Sequence, residues 1–246
     1  MDRVRIDSSV APTLVAWTNS WLAGQVSLDD AVDRVERVAG PQVVAAESGE
    51  TTLRAFLIDR RSDGLCGFRL ALPVPGDPLG LTGPPAFNGA AIEAGEAAIA
   101  VLPGRCVGLV PAQDRRGSSY SGIRWTAEDA SPAMPDVPSL AEAERALTGA
   151  MLAATDALSA VDGPAQGFPS LRGGEEELAP GYPGRAHRVG ALAARLAAAL
   201  RLADGRGLTS GQVAVRHEAL RDLDRAVRRA RVAAHHALAD LGQTQP

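Results

Sequence analysis

Residues 130–138, ASPAMPDVP, divide this chain into two kinds of sequence. Before them lie short apolar runs broken by glycine and proline. After them come long alanine-rich stretches with apolar residues three and four apart. Three prolines in nine residues exclude a helix interior, and each biases the preceding residue toward extended backbone. The stretch therefore marks the expected boundary between a helical-hairpin-plus-sheet region over 1–130 and a helical region over 139–246, the latter either separate or packed on the sheet. The expected class is α+β: an N-terminal helical hairpin, a mostly antiparallel β-sheet, and a C-terminal Ala-rich bundle of about three helices.

The first forty residues carry the hairpin pattern. Pro12 suits a first helical turn, and Leu14, Trp17, Trp21 and Leu22 share one face before Gly24 stops the helix. Because Trp17 and Trp21 lie on that apolar stripe, they read as core anchors rather than as a ligand-stacking pair. Ser27 caps a second helix, with Asp29 and Asp30 in its first turn and Val32, Val35 and Ala39 inward, ending at Gly40-Pro41. From Gln42 to about Ala130 the texture is β. QVVAAE is one strand. LRAFLID and LCGFRLAL flank RRSDG, where Asp63-Gly64 offers the corner of a hairpin. NGAAIEAGEAA has helical composition. AAIAVL and CVGLV lie around Pro103-Gly104, and SGIRWTAE places Ile123 and Trp125 on one face. The turns are short and leave no room for crossovers, so antiparallel pairing is expected.

Beyond the prolines, Ser139 and Glu142 form a capping box for a helix to about Val161. Its seam is Leu140, Ala143, Leu147, Met151, Ala154, Leu158 and Val161. A second helix from Ala186 to Ala203 presents Val189, Leu192, Leu196 and Leu200. Thr209 and Gln212 cap a last one to about Leu241, whose seam of Leu220, Leu223, Val227, Ala230, Ala234, Ala237 and Leu241 repeats at near-heptad spacing. Alanine at several of these positions allows another helix to approach closely.

Composition excludes several chemistries. The chain has 246 residues and no lysine, so all 25 of its basic residues are arginine. A Walker A lysine, a Schiff-base lysine and a kinase-type Lys–Glu pair are therefore ruled out. Cys66 and Cys106 cannot supply a four-thiolate site, and in apolar runs both read as small buried hydrophobes; a disulfide between them is open on count alone. The opening MDRVRIDSSV carries charge without an apolar segment, and no stretch approaches a membrane span. A cytoplasmic protein without a membrane partner is expected. With a net charge of −4, nothing global favours nucleic acid, and the arginines between Arg216 and Arg231 alternate with Glu218, Asp222 and Asp224 as on a solvated helix face.

No catalytic constellation is complete. VRHEALRD begins like a zinc-binding HExxH helix, but Arg221 stands where the second imidazole belongs. His235 and His236 point about 100° apart on a helix, and His236 with Asp240 lacks a third ligand, so no metal and no cofactor is assigned. GSSYSG fails the serine-elbow spacing at Ser121 and precedes a strand, which leaves it as a polar hairpin tip. Residues 73–88, PVPGDPLGLTGPPAFN, contain five prolines and one charge, with Val74, Leu79, Leu81 and Phe87. That composition predicts an ordered, packed loop rather than a slack linker.

The sequence thus points to a non-catalytic protein–protein interaction or assembly module, with a protein partner or self-association through the C-terminal helices. The alternative is an enzyme or small-molecule binder with a site between loops 73–88 and 163–186. Arg69, Asp77, Asn88, Arg172 and His187 are its candidate ligand-site residues: arginine clamps anionic oxygens, Asp77 offers a base, and His187 titrates near neutrality.

Overall fold

Helix α1 (Ala11–Leu22) begins on Pro12, whose fixed φ suits a first turn, but it has no side-chain cap of its own. Glu96 supplies one from a distant part of the chain. The backbone N–H groups of Val10 and Ala11 donate to its two carboxylate oxygens at 3.1 and 3.2 Å, and the Ser9 hydroxyl donates at 2.5 Å. A carboxylate there also meets the positive end of the helix dipole. The helix is buried almost all round, from Ala11 to Ala16 and again at Thr18, Asn19 and Ser20. Leu14 of the expected core stripe is fully buried, but Trp17 and Trp21 are only half-buried and mark the partly open side of the helix.

The computed structural model describes residues 9–47, 49–116, 120–159, 178–203 and 210–243. Helix α2 (Leu28–Ala39) carries the expected cap at Ser27, completed by Asp30 as a capping box, and Gly40 ends it with a positive φ. A Cβ at Gly40 would lie 2.5 Å from the Ser121 carbonyl oxygen, so only glycine lets the chain pass there. Strand β1 (Gln42–Ala46) turns into β2 (Gly49–Thr52). Helix α3 (Leu53–Ser62), strand β3 (Gly67–Ala71), helix α4 (Pro85–Ala94), and strands β4 (Ala97–Leu102), β5 (Arg105–Arg116) and β6 (Tyr120–Ala130) follow.

One element differs from the expectation. LRAFLID is helix rather than strand: Leu53, Phe56 and Leu57 are buried at helical spacing, and the Thr52 hydroxyl caps the Ala55 N–H at 3.2 Å. Asp63-Gly64 is accordingly the end of that helix and not a hairpin corner. The sheet is mostly antiparallel, as expected, though the chain does make one crossover. Its order is β2-β1-β6-β5-β4-β3, antiparallel throughout except that β1 runs parallel to β6, Val44 beside Trp125. The chain between β1 and β6 holds two helices, which is ample for the crossover that a parallel pair needs. Trp125 is fully buried and donates to Gln42 at 2.8 Å, fixing the start of β1 against β6.

Helix α4 covers one face of the sheet. Phe87 and Ala91 pack there with Ala71, Ala97, Ile99, Cys106 and Val110. The alternate side chains Phe68, Leu70, Ala98, Ala100, Leu109 and Trp125, all buried, point to the other face, where α1 contacts β3 and β4 and α2 contacts β6. As expected, the Pro/Gly stretch is a packed element: Leu79 and Leu81 are buried, and Gly80 lies so close that a Cβ would meet the Ala71 Cα at 2.8 Å. Cys106 is buried, but Cys66 is exposed, since it precedes the strand and its thiol turns back to the Gly64 carbonyl.

The chain divides into two compact units. The first takes in Met1–Asp136, Leu178–Tyr182 and Leu238–Pro246, and the second Val137–Glu177 and Pro183–Ala237. Leu178–Tyr182 thus returns to α1, where Ser20 donates to the Pro180 carbonyl at 2.6 Å and Leu178, Ala179 and Tyr182 are buried. The second unit holds helices α5 (Leu140–Ser159), α6 (Gly184–Ala203) and most of α7 (Ser210–Gln243). Ser139 and Glu142 form the expected capping box. The Ser139 hydroxyl and backbone N–H hold the Glu142 carboxyl below its ordinary range. Thr209, Val161 and the tip at 117–119 lie outside the described residues.

Gly108 on β5 lies under the Phe87 ring, and any Cβ there would overlap it. Gly108→Ala is expected to lower stability by about 1–3 kcal/mol through overpacking, with much of the loss recovered in Gly108→Ala/Phe87→Leu; urea titration of both variants checks this. Burial raises the Tyr182 pKa above its ordinary value, and the Asn19 hydrogen bond pulls the other way without cancelling it. The folded protein then keeps a proton that the unfolded chain loses from about pH 10 upward. Stability should fall above that pH and be unaffected below it. Tyr182→Phe should flatten the decline, read as urea midpoints compared on either side of about pH 10.

Candidate functional site

Arg69 sits mid-strand on β3 and is 8 % exposed. Its register partner is Ile99, so its side chain lies on the α4 face and runs across the sheet toward the end of β6. The guanidinium donates to the Ala133 carbonyl at 2.9 Å and to the Ser131 carbonyl at 3.2 Å, and touches the Cys106 and Met134 sulfurs at 3.5 and 3.7 Å. Thr82 donates to the same Ala133 oxygen at 3.3 Å. The Ser131 N–H donates to the Gly83 carbonyl at 2.9 Å, and the Gly83 N–H to the Asn88 side-chain oxygen at 3.1 Å. Arg69 and Asn88 therefore belong to one hydrogen-bonded clip, which fastens the segment leaving β6 to the Pro/Gly stretch. Arginine suits this work because its planar fork reaches two carbonyls at once.

The other candidates lie elsewhere. Asp77 is half-buried at a tight turn, where its backbone pairs with Val74 in both directions. His187 is in the first turn of α6, in the second unit, with its N–H on the Pro183 carbonyl at 3.2 Å. Arg172 lies outside the described residues, as does loop 163–186 up to residue 177. Among the described residues no three His, Cys, Asp or Glu side chains gather as metal ligands, and no helix is long and apolar enough to cross a membrane.

In the second unit the predicted seams meet each other. Ala143, Leu147 and Ala154 of α5, Val189 and Ala193 of α6, and Leu223, Ala226, Val227, Ala230 and Ala233 of α7 form one cluster, with Leu140, Met151, Leu192, Leu196 and Leu200 against it. The stretch of α7 that looked open to a partner helix is thus filled by α5 and α6 of the same chain between Leu223 and Ala233. Ala234 and Ala237 are buried as well. What α5 leaves outside is a different face. Leu152 is 64 % exposed there, with Arg145, Ala146, Gly149, Ala153 and Asp156 exposed around it. The sequence signal for this face was faint: Leu152 is the apolar residue that falls off the three-and-four spacing of the seam.

A six-stranded mixed sheet with helices on both faces, joined to a three-helix Ala-rich unit, defines a two-part α+β protein. Residues 11–140 match the N-terminal domain of the Rv1486c-like proteins, and residues 141–232 match the C-terminal domain of the same family. The chain belongs to that family. It is 32% identical to an uncharacterised protein, Rv1486c, of Mycobacterium tuberculosis, over 92% of this chain and 96% of the relative. A Mycobacterium leprae relative, the uncharacterised protein ML1804, is 30% identical over the same shares. The uncharacterised protein MAV321 of Mycobacterium avium is 31% identical over 61% of this chain and 60% of its own. No solved structure matches.

Replacing Arg69 by Met would remove its hydrogen bonds to the half-buried Ser131 carbonyl and to the Ala133 carbonyl, which keeps Thr82 as a donor. The expected loss on urea unfolding is roughly 1–3 kcal/mol, with new proteolytic cleavage in 131–138. Arg69→Lys should recover only part, since an ammonium does not span both oxygens.

Proposed function

We propose that the protein is a non-catalytic assembly module whose C-terminal helices bind a second copy of the chain through the outward face of α5. The observation that carries this reading is the exposed Leu152 set among small residues and opposite charges. In an antiparallel pairing of α5 with α5 of a second copy, Arg145 and Asp156 form one opposed pair. The same register sets Leu152 over Gly149, because the two pairs share one midpoint along the helix. Both contacts then occur twice, as a twofold interface requires. Glycine gives the leucine a hole, and Ala146 and Ala153 let the helix axes approach closely. Neither Arg145 nor Asp156 has an ion-pair partner among the described residues. One helix pair buries little area, so the association is a weak, concentration-dependent one.

Light scattering across a concentration series should show a monomer–dimer equilibrium. Leu152→Glu should abolish it with the circular dichroism unchanged, since the position is exposed. Arg145→Asp or Asp156→Arg alone should weaken it several-fold, and the two together should restore it. A wild type that stays monomeric at high concentration, or a double reversal no better than the singles, would sink the proposal.

A further inference from the structure

The half-open side of α1 carries a second, independent feature. Trp17 and Trp21 stand one turn apart on this helix, about 6 Å along its axis. The Arg34 guanidinium of α2 lies over the Trp17 ring, and that of Arg61, at the end of α3, over the Trp21 ring, each 5.8 Å from the ring centroid. Three helices thus contribute to two Trp–Arg cation–π contacts one turn apart on α1. A cation–π contact restrains the long arginine chain and leaves the terminal nitrogens of its fork to meet oxygen acceptors.

Several carboxylates of the same helices are engaged elsewhere. Asp30 accepts from the Ser27 backbone, and its oxygen pairs with the Ser27 hydroxyl at 2.7 Å in the helix cap. Asp29 pairs with Arg54, and Asp33 and Glu36 act on that same arginine, helping to hold its pKa above the ordinary value. Asp63 takes Arg60 at 2.9 Å and Arg105 at 3.2 Å. Among the described residues neither Arg34 nor Arg61 has a carboxylate partner. Two donors under the first pair, Trp17 Nε1 and Arg34 Nε, are buried without an acceptor. The site is therefore rich in donors and positive charge, on a base of aromatic surface.

We propose that the Trp17–Arg34 and Trp21–Arg61 pairs form a docking surface for an acidic protein segment, distinct from the α5 face. Tryptophan and arginine are the residues that dominate protein interfaces when clustered in this way. Carboxylates on alternate residues of an extended chain recur about every 6–7 Å, close to the rise of about 6 Å between Trp17 and Trp21 along α1. An (Asp/Glu)-x-(Asp/Glu) segment would seat one carboxylate on each guanidinium.

The chain's three tryptophans make the test direct, since Trp125 is fully buried and only Trp17 and Trp21 face this surface. Titration of the full chain with hexaglutamate should shift tryptophan emission saturably, and the apparent affinity should fall about tenfold or more on raising salt from low to molar strength. Hexaglutamine should give no shift. Arg34→Gln/Arg61→Gln should remove the response, and Arg61→Gln alone, at an exposed position that leaves the fold intact, should weaken it several-fold. The proposal is overturned by no response to hexaglutamate at millimolar concentration, by an equal response to hexaglutamine, or by a response that survives in the double variant. Loss of the α5 contact through Leu152→Glu should leave this titration unchanged, so the two surfaces fail or hold separately.

Discussion

Burying helix α1 on nearly every side sets the terms for the N-terminal unit. A helix in that position cannot give its first N–H groups to water, and Val10 offers no capping side chain. The carboxylate of Glu96 meets the need from the loop before β4, so the helix start and the strand start are fixed by one side chain. Midway along, Asn19 turns the same constraint to use. Its amide donates to the Phe68 carbonyl at 2.9 Å and its oxygen accepts the Phe68 N–H at 2.7 Å. A side chain thereby stands in for a seventh strand at the outer edge of β3, an edge that would otherwise invite pairing with another chain. Asn19 also bonds Tyr182, and the neighbouring Ser20 holds Pro180. The return of Leu178–Tyr182 to the first unit follows from the polar needs of a buried helix as much as from its apolar ones.

Arginine carries all the positive charge of this chain, and its roles differ by what lies beside it. Arg69 bonds neutral carbonyls within the protein, where a lysine would satisfy one and strand the other. Arg116 and Arg124 share Glu50 at the sheet surface, at 2.6 and 2.7 Å, where ion pairs contribute little. Arg34 and Arg61 lie over indoles and have no carboxylate partner among the described residues. The same residue type thus serves as internal clip, solvated pair and displayed donor. Geometry and not composition decides which.

That distinction also explains what could be read in advance. The α+β class, the Ser27 and Ser139 caps, strands β1, β4, β5 and β6, and the packed Pro/Gly stretch all rest on local rules, and local rules are legible in sequence. Helix α3 was not, because LRAFLID fits an alternating pattern nearly as well as a helical one and its resolution depends on Thr52 capping Ala55. The parallel β1–β6 pair depends on contacts far apart in the chain. Trp17 and Trp21 do share a face, but the face of a helix buried all round is not the face that looks most apolar. Arg69 was picked out as a ligand clamp on chemistry alone; its partners at Ser131 and Ala133 are more than sixty residues away, and no spacing announces them. The α7 seam shows the same limit, since periodicity marks a contact without saying whose helix makes it.

The buried polar groups of the N-terminal unit bear on the kind of function it supports. Glu96, Asn19 and Arg69 direct their side chains to backbone groups, and Gln42 bridges Trp125 and the Gly40 carbonyl. A catalytic side chain needs donor or acceptor capacity left over for a substrate, in a place where water is excluded. Most of the capacity of these four is taken up by the fold, Arg69 Nε being the exception, and they are costly to remove for that reason. Charged groups with capacity to spare also lie at the surface, at Arg61, Arg145 and Asp156, where solvent competes and single contacts are weak. Such groups act only in combination, as patterned surfaces that a partner matches at several points together. Under the readings proposed above, these are the groups that a second copy or an acidic segment would engage.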